Sequence, residues 1–253
     1  MDRGVLDQRP LSDQGTAGDQ GEGDSAVAGE MGAATDLGDP LDGSTRADAR
    51  GEGEDEGPSP ECIGPTPEGA LRSDGPVAGE PVEDPTAVGS FPPAFRLEER
   101  QPRACGAGEH YGLDSFRGRP TFVALLSATC GYCLSQLGRL EQLRLELSLA
   151  GHELNWVLIN YAPTELAVAN YLERSSMFHI LQDTIEINAW EALNGDKDDF
   201  YLYNEDGSLG AFLDDTAAQL ESGTSWLYLS DPVGYENLRA AILEHLAAQP
   251  GRP

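Results

Sequence analysis

The sequence predicts an α/β domain, a mixed-sheet layer sandwich with a βα insertion, carried behind a disordered acidic leader. Three observations predict it. Every aromatic residue lies from Phe91 onward; two runs in that part, Phe122–Leu126 and Trp156–Ile159, are apolar on both alternating faces; and helical signals separate the strands before a closing ββα unit.

The leader is read from composition. Residues 1–90 hold 21 Asp and Glu against 5 Lys and Arg, with 17 of the 30 Gly and 9 of the 17 Pro. Stretches such as Gly51-Glu52-Gly53-Glu54-Asp55-Glu56-Gly57 bury too little apolar surface to offset the entropy of ordering them. The expected division is a disordered acidic leader over 1–95 and a folded domain over 96–253, the leader acting as a solubilising spacer or an acidic binding tail. A domain of about 150 residues buries roughly 68–70% of its unfolded surface, so no disulfide staple is required.

Within the domain, Pro120–Ser127 reads as a central parallel strand. Leu134, Leu137, Leu140, Leu143 and Leu147 then recur at helical spacing, with the helix stopping near Gly151. Leu154–Tyr161 is a second buried strand, followed by Pro163 in the first turn of a helix. Phe178–Leu181 and Ile187–Leu193 supply the inserted strand and helix. Phe200–Tyr203 and Leu209–Leu213 flank the turn Asn204-Glu205-Asp206-Gly207 and form an antiparallel hairpin. Asp231-Pro232 caps a last helix whose apolar face is Leu238, Ile242 and Leu246. With right-handed crossovers in the parallel part, a thioredoxin-like layer sandwich satisfies this order.

Charge and hydropathy exclude two classes. With 44 acidic and 16 basic residues, a net charge of -28, the chain is a polyanion and is not expected to bind a nucleic-acid backbone. No window approaches the roughly 18 apolar residues of a membrane span. Met1-Asp2-Arg3-Gly4-Val5 has neither the basic nor the apolar region of a secretory signal, so none is visible in the chain as given, and the compartment stays open.

One constellation carries chemistry. Cys130-Gly131-Tyr132-Cys133 lies between the central strand and the first turn of the long helix, where unpaired N–H groups and the helix dipole stabilise a thiolate. Cys130 is therefore expected to have a depressed pKa and to attack, and Cys133, one turn inside, to resolve the mixed disulfide. Gly131 and Tyr132 set the local geometry and offer a substrate an aromatic edge. A CxxC is also half of a structural zinc site, but no second CxxC or close His pair completes one, and His110, His152, His179 and His245 are scattered. No metal or other cofactor is expected. Cys62 and Cys105 make the count even; a bond between them, two free thiols and bonds to another chain are all open.

The segment Phe122–Leu134, followed by Leu140-Glu141-Gln142-Leu143-Arg144, resembles the N-terminal domain of selenoprotein P, and so does Trp190–Tyr203 with Gly207 closing the turn. The likeness covers roughly residues 105–248. It implies an exported thioredoxin-like redox domain in which Cys130 occupies the selenocysteine position. Nothing here resembles that family's selenium-rich C-terminal tail, so a selenium-supply role is not implied. Ordinary thioredoxins place a cis-proline opposite the CxxC, where this sequence has Asp198-Asp199. That peptide is expected to be trans, because a cis bond before a non-proline residue costs about 2.5–4 kcal/mol. Asp198 either approaches the sulfurs, opposing the thiolate, or faces solvent; it is carried as a weak substrate-binding candidate.

Three functions compete. The first is a thiol-disulfide oxidoreductase acting on a disulfide-bearing protein or a small thiol. The second is a thiol peroxidase, although Val123 stands where peroxiredoxins have proline, and Trp156, Trp190 and Trp226 precede Val157, Glu191 and Leu227 instead of the Asn of glutathione peroxidases. The third is a non-enzymatic module binding a soft metal or a protein. The sequence leaves the redox partner, the potential and the oligomeric state undetermined.

Overall fold

Six consecutive buried residues, Thr121–Leu126, form the strand around which the sheet is assembled. The computed structural model describes residues 62–164, 167–172 and 176–249. Its strands are β1 (Arg72–Ser73), β2 (Leu97–Glu99), β3 (His110–Tyr111), β4 (Thr121–Leu126), β5 (Asn155–Asn160), β6 (His179–Gln182), β7 (Phe200–Tyr203) and β8 (Leu209–Leu213). Its helices are α1 (Gly131–Leu149), α2 (Ala169–Leu172), α3 (Ala189–Ala192) and α4 (Pro232–Ala247), with 3-10 turns at Gly69–Leu71 and Leu113–Phe116.

The strands form one sheet in the order β1-β3-β2-β6-β5-β4-β7-β8. β4, β5 and β6 run parallel, Val123 beside Val157 and Val157 beside His179. β7 is antiparallel to β4, and β8 to β7. The inner order β5-β4-β7-β8, two parallel strands followed by an antiparallel hairpin, is the thioredoxin-like arrangement, with β6 and α3 as the predicted insertion. Alternation along β4 divides the core. Phe122, Ala124 and Leu126 pack with Leu137, Leu140, Leu143, Leu238, Ile242 and Leu246 of α1 and α4. Val123 and Leu125 pack on the other face with Phe95, Leu97, Tyr111, Phe116 and Trp190. Asp231 caps α4 through the Val233 N–H at 2.8 Å, with Pro232 at the first turn.

Two expectations are corrected. Residues 62–95, expected to belong to the disordered leader, are part of the sheet domain; residues 1–61 lie outside the described residues. Cys62 and Cys105 form a disulfide with Cα atoms 4.9 Å apart, Val77 bridges Arg96, and the Gly89 N–H donates to the Leu209 carbonyl at 2.7 Å. Pro67, Pro85, Pro93 and Phe95 are buried, so prolines counted as markers of disorder serve as packing groups. Gly64, in the left-handed region with φ +74°, lets this segment lie against His179; a Cβ there would come within 1.8 Å of Nε2. That imidazole and Tyr111 both bond Glu99 Oε2, at 2.8 and 2.6 Å. The second correction concerns Pro163. It lies in a turn after β5 with a cis Ala162–Pro163 bond, the Thr164 N–H returning to Tyr161, and α2 begins only at Ala169.

Candidate active site around Cys130 and Cys133

The loop from β4 to α1 is held from below. The Cys130 N–H donates to the Ser127 carbonyl at 3.0 Å, and Asn170 Nδ2 donates to the Ala128 carbonyl at 2.8 Å. These bonds turn the chain so that Cys130 becomes the N-cap of α1, with φ -89° and ψ 115°. Its Sγ accepts the Cys133 backbone N–H at 3.4 Å, within the usual reach for sulfur. Both cysteines are free thiols, but they differ in access: Cys130 is half-buried and Cys133 has no exposed surface.

Electrostatics separate them further. Partial burial pushes the Cys130 thiol up, but the Cys133 N–H and side chain, the Lys197 ammonium and the Tyr132 backbone outweigh it, leaving Cys130 below an ordinary cysteine. Burial drives the Cys133 thiol well above its ordinary value; a backbone hydrogen bond from Ser127 opposes this, and the Asp198 carboxylate adds to it.

Asp198 reaches this place because the loop before β7 continues the β4 pairing. The Asp198 N–H donates to the Leu125 carbonyl at 2.8 Å, and the Leu125 N–H to the Asp199 carbonyl at 3.1 Å. Asp198 adopts φ 72°, a left-handed conformation uncommon outside glycine, and the peptides on either side of it are trans as expected. Asp199 staples the loop, its oxygens accepting the Asp196 and Asp215 N–H groups at 2.7 and 2.8 Å. Asp198 is fully buried, and neither of its oxygens has a hydrogen-bond partner of ordinary geometry. The donors beside it are the Cys133 thiol and Lys197 Nζ, the latter 3.7 Å from Oδ2. Burial pushes its pKa up to about 6, with Lys197 and Cys133 pulling down and Asp215 pushing up.

The sequence-predicted residues Cys130, Gly131, Tyr132, Cys133 and Asp198 are thus brought together, and Gly131 opens α1. The Tyr132 ring stacks on Tyr228 with centroids 5.2 Å apart and an interplanar angle of 14°, and Lys197 Nζ lies 5.5 Å from the Tyr132 centroid. Lys197, Asp215 and Tyr228 were not anticipated. For Lys197 a signal existed: it is the only lysine among the 253 residues. Among the described residues, no group of three or more His, Cys, Asp or Glu could hold a metal ion. A cleft of about 860 Å³ between the β7–β8 hairpin and α4, reached by His245 and Gln249, is lined by none of these site residues.

Residues 92–214 match the family described as "Selenoprotein P, N terminal region". That segment is similar to the N-terminal region of selenoprotein P. Rat selenoprotein P is 32% identical over 143 residues, covering 54% of this chain and 34% of the relative. Human selenoprotein P is 29% identical over 174 residues, covering 67% of this chain and 41% of the relative. Zebrafish selenoprotein Pb is 28% identical over 136 residues, 49% of this chain and 51% of the relative. The chain therefore spans about a third to a half of these selenoproteins. Among solved structures, the thioredoxin domain of a thiol-disulfide oxidoreductase from Bacteroides vulgatus is 14% identical, with TM-score 0.44, covering 62% of this chain and 98% of that one. Yeast Sco1 is 20% identical, with TM-score 0.46, covering 64% and 98%. At these scores the fold of residues 92–214 rests on its own strand order. Among its described residues no helix is long and apolar enough to cross a membrane.

Proposed function

We propose that the domain is a thiol-disulfide oxidoreductase. The observation that carries this reading is the asymmetry of the two sulfurs: Cys130 is reachable, at a helix N-terminus, with its pKa lowered, while Cys133 is sealed behind it. The Cys130 thiolate attacks one sulfur of a substrate disulfide; a mixed disulfide forms and the other substrate sulfur leaves as a thiolate, taking a proton. Cys133 then attacks Cys130 Sγ. The intramolecular disulfide forms and the second substrate thiol is released, so the substrate gains two electrons and the CxxC loses two. Tyr132 and Tyr228 supply the apolar surface beside Cys130 on which a disulfide-bearing peptide or small thiol would rest.

The Cys62–Cys105 bond supports an oxidising, exported setting, because cytosolic thiols are kept reduced. The test is reduction of insulin or a fluorescent disulfide by the reduced protein. Turnover is expected, with loss on Cys130→Ser; undiminished turnover in that variant overturns the assignment. The potential of the Cys130–Cys133 couple sets direction, about -270 mV marking a reductant and about -120 mV an oxidant.

A further inference from the structure

We propose that the cleft beside the exit of β5 receives an arginine side chain of the disulfide-bearing substrate, so that a basic residue flanking the cystine is what the site selects; this deepens the oxidoreductase reading and rests on it. The cleft has a volume of about 330 Å³ and is walled by Tyr161, Asn188, Trp190, Glu191, Asn194 and Asp196. Its position follows from the sheet. β4, β5 and β6 are parallel, and the carboxyl ends of parallel strands are where an open α/β sheet binds its ligands. Tyr161 leaves β5 there, its N–H donating at 3.1 Å to the carbonyl of Leu126, the last residue of β4. Asp196 lines the cleft, while Lys197, next in the chain, carries its ammonium toward the CxxC, 5.5 Å from the Tyr132 centroid. One loop therefore borders both the cleft and the reactive face. Asn188, Trp190 and Glu191 come from the βα insertion, so a sheet lacking it has no such wall.

The walls define the chemistry of the ligand. The Trp190 indole is fixed, with Nε1 donating to the Ile159 carbonyl at 3.1 Å and only 7% of the residue exposed. The Tyr161 ring packs on it at 4.8 Å yet Tyr161 stays 44% exposed. Aromatic faces open to solvent in a recess attract a cation through the ring quadrupole.

Two carboxylates stand beside these rings. Asp196 makes no side-chain hydrogen bond or ion pair among the described residues, and the Glu191 carboxylate accepts only the Asn188 amide. Lys197 is engaged with Asp198, 3.7 Å away. An apolar side chain seated here would desolvate both carboxylates without pairing them, and an acidic one would be repelled. Arginine suits the recess better than lysine, because its planar guanidinium stacks on an aromatic ring and still presents N–H donors at its edge to the carboxylates.

The experiment compares two disulfide peptides, identical except for Arg or Gln beside the cystine, in single-turnover reduction by the full-length reduced protein. The second-order rate constant for the Arg peptide is expected to exceed that for the Gln peptide by about 10-fold, through a lower half-saturating concentration, with the ratio falling as salt is raised. Glu191→Gln/Asp196→Asn is expected to bring the ratio below about 3, and Tyr161→Leu to lower it by about 2- to 5-fold. Glu80→Gln/Glu83→Gln, which removes two exposed charges outside the cleft, is expected to preserve it. Equal rates for the two peptides overturn the inference and leave the oxidoreductase reading intact. An equal fall of the ratio in both double variants does the same, because it assigns the preference to the general field of a chain of net charge -28. No reduction of either peptide by the native protein overturns the reading and the inference with it. Should the cleft double variant fail to fold, an undiminished ratio in Tyr161→Leu overturns the inference alone.

Discussion

Asn160 Oδ1 accepts the backbone N–H of Ala128 at 3.0 Å, so the last residue of β5 holds the loop that delivers Cys130. The same oxygen accepts the Tyr171 hydroxyl at 3.0 Å, while Asn160 Nδ2 donates to Gln182 Oε1 at 2.7 Å. One fully buried amide therefore ties β5, β6, α2 and the nucleophile loop together.

Replacing it with Ala leaves the Ala128 N–H and the Tyr171 hydroxyl without acceptors. A loss of about 2–4 kcal/mol is expected, seen as a lower urea midpoint at unchanged slope. Asn160→Asp, which retains the accepting oxygen, should place Cys130 closer to its native alkylation profile than Asn160→Ala does.

Lys197 helps to hold Cys130 in the thiolate form. Lys197→Met is expected to slow iodoacetamide alkylation of Cys130 by about 2- to 5-fold at pH 6–7, with the difference shrinking in high salt as the pair is screened. Mass spectrometry should find Cys130 modified first and Cys133 only under denaturing conditions; equal labelling of both would contradict their difference in access.

The raised pKa of Asp198 gives stability a definite pH slope. Its folded value of about 6 lies above its ordinary 3.8, so the fold holds the proton more tightly than the unfolded chain. This contribution is full below about pH 4, falls as pH rises toward 6, and has become a penalty for the ionised group at neutrality. Asp198→Asn is expected to be more stable than the native protein at pH 7 by about 1–3 kcal/mol and to lose that advantage near pH 4. Denaturant midpoints at the two pH values measure it.

Cys62 and Cys105 close a loop with a sequence separation of 43. Loop-closure entropy assigns such a cross-link about 4 kcal/mol, less any structure kept in the unfolded chain. The double variant Cys62→Ser/Cys105→Ser should lower the denaturation midpoint and expose His179 to imidazole reagents, because the segment carrying Gly64 is no longer tethered over it.

The parts of this architecture that were legible in the sequence are those that repeat a period. β4 and β5 were visible because both faces of each strand are buried, α1 because leucines recur every turn, and the β7–β8 hairpin because Gly207, with φ +88°, marks its turn. The short strands β1, β2 and β3 were not, being two or three residues long and set among Gly and Pro, where no period can develop. Cys130 and Cys133 could be read from spacing alone. The burial of Asp198 could not, since it follows from two backbone bonds between a loop and Leu125, residues far apart in the chain. Pro163 carried a genuine local preference for a helix start, but the turn after β5 uses it in another way.

A chain with a single ε-amine has an unusual practical property. Apart from the chain terminus, any amine-directed cross-linker, acylating agent or modifying enzyme acting on this protein must work at Lys197, within the electrostatic reach of the sulfurs. A tether placed there would capture whatever molecule docks on the reactive face and ignore collisions elsewhere, so the polypeptide carries its own site-selective reporter of the company it keeps.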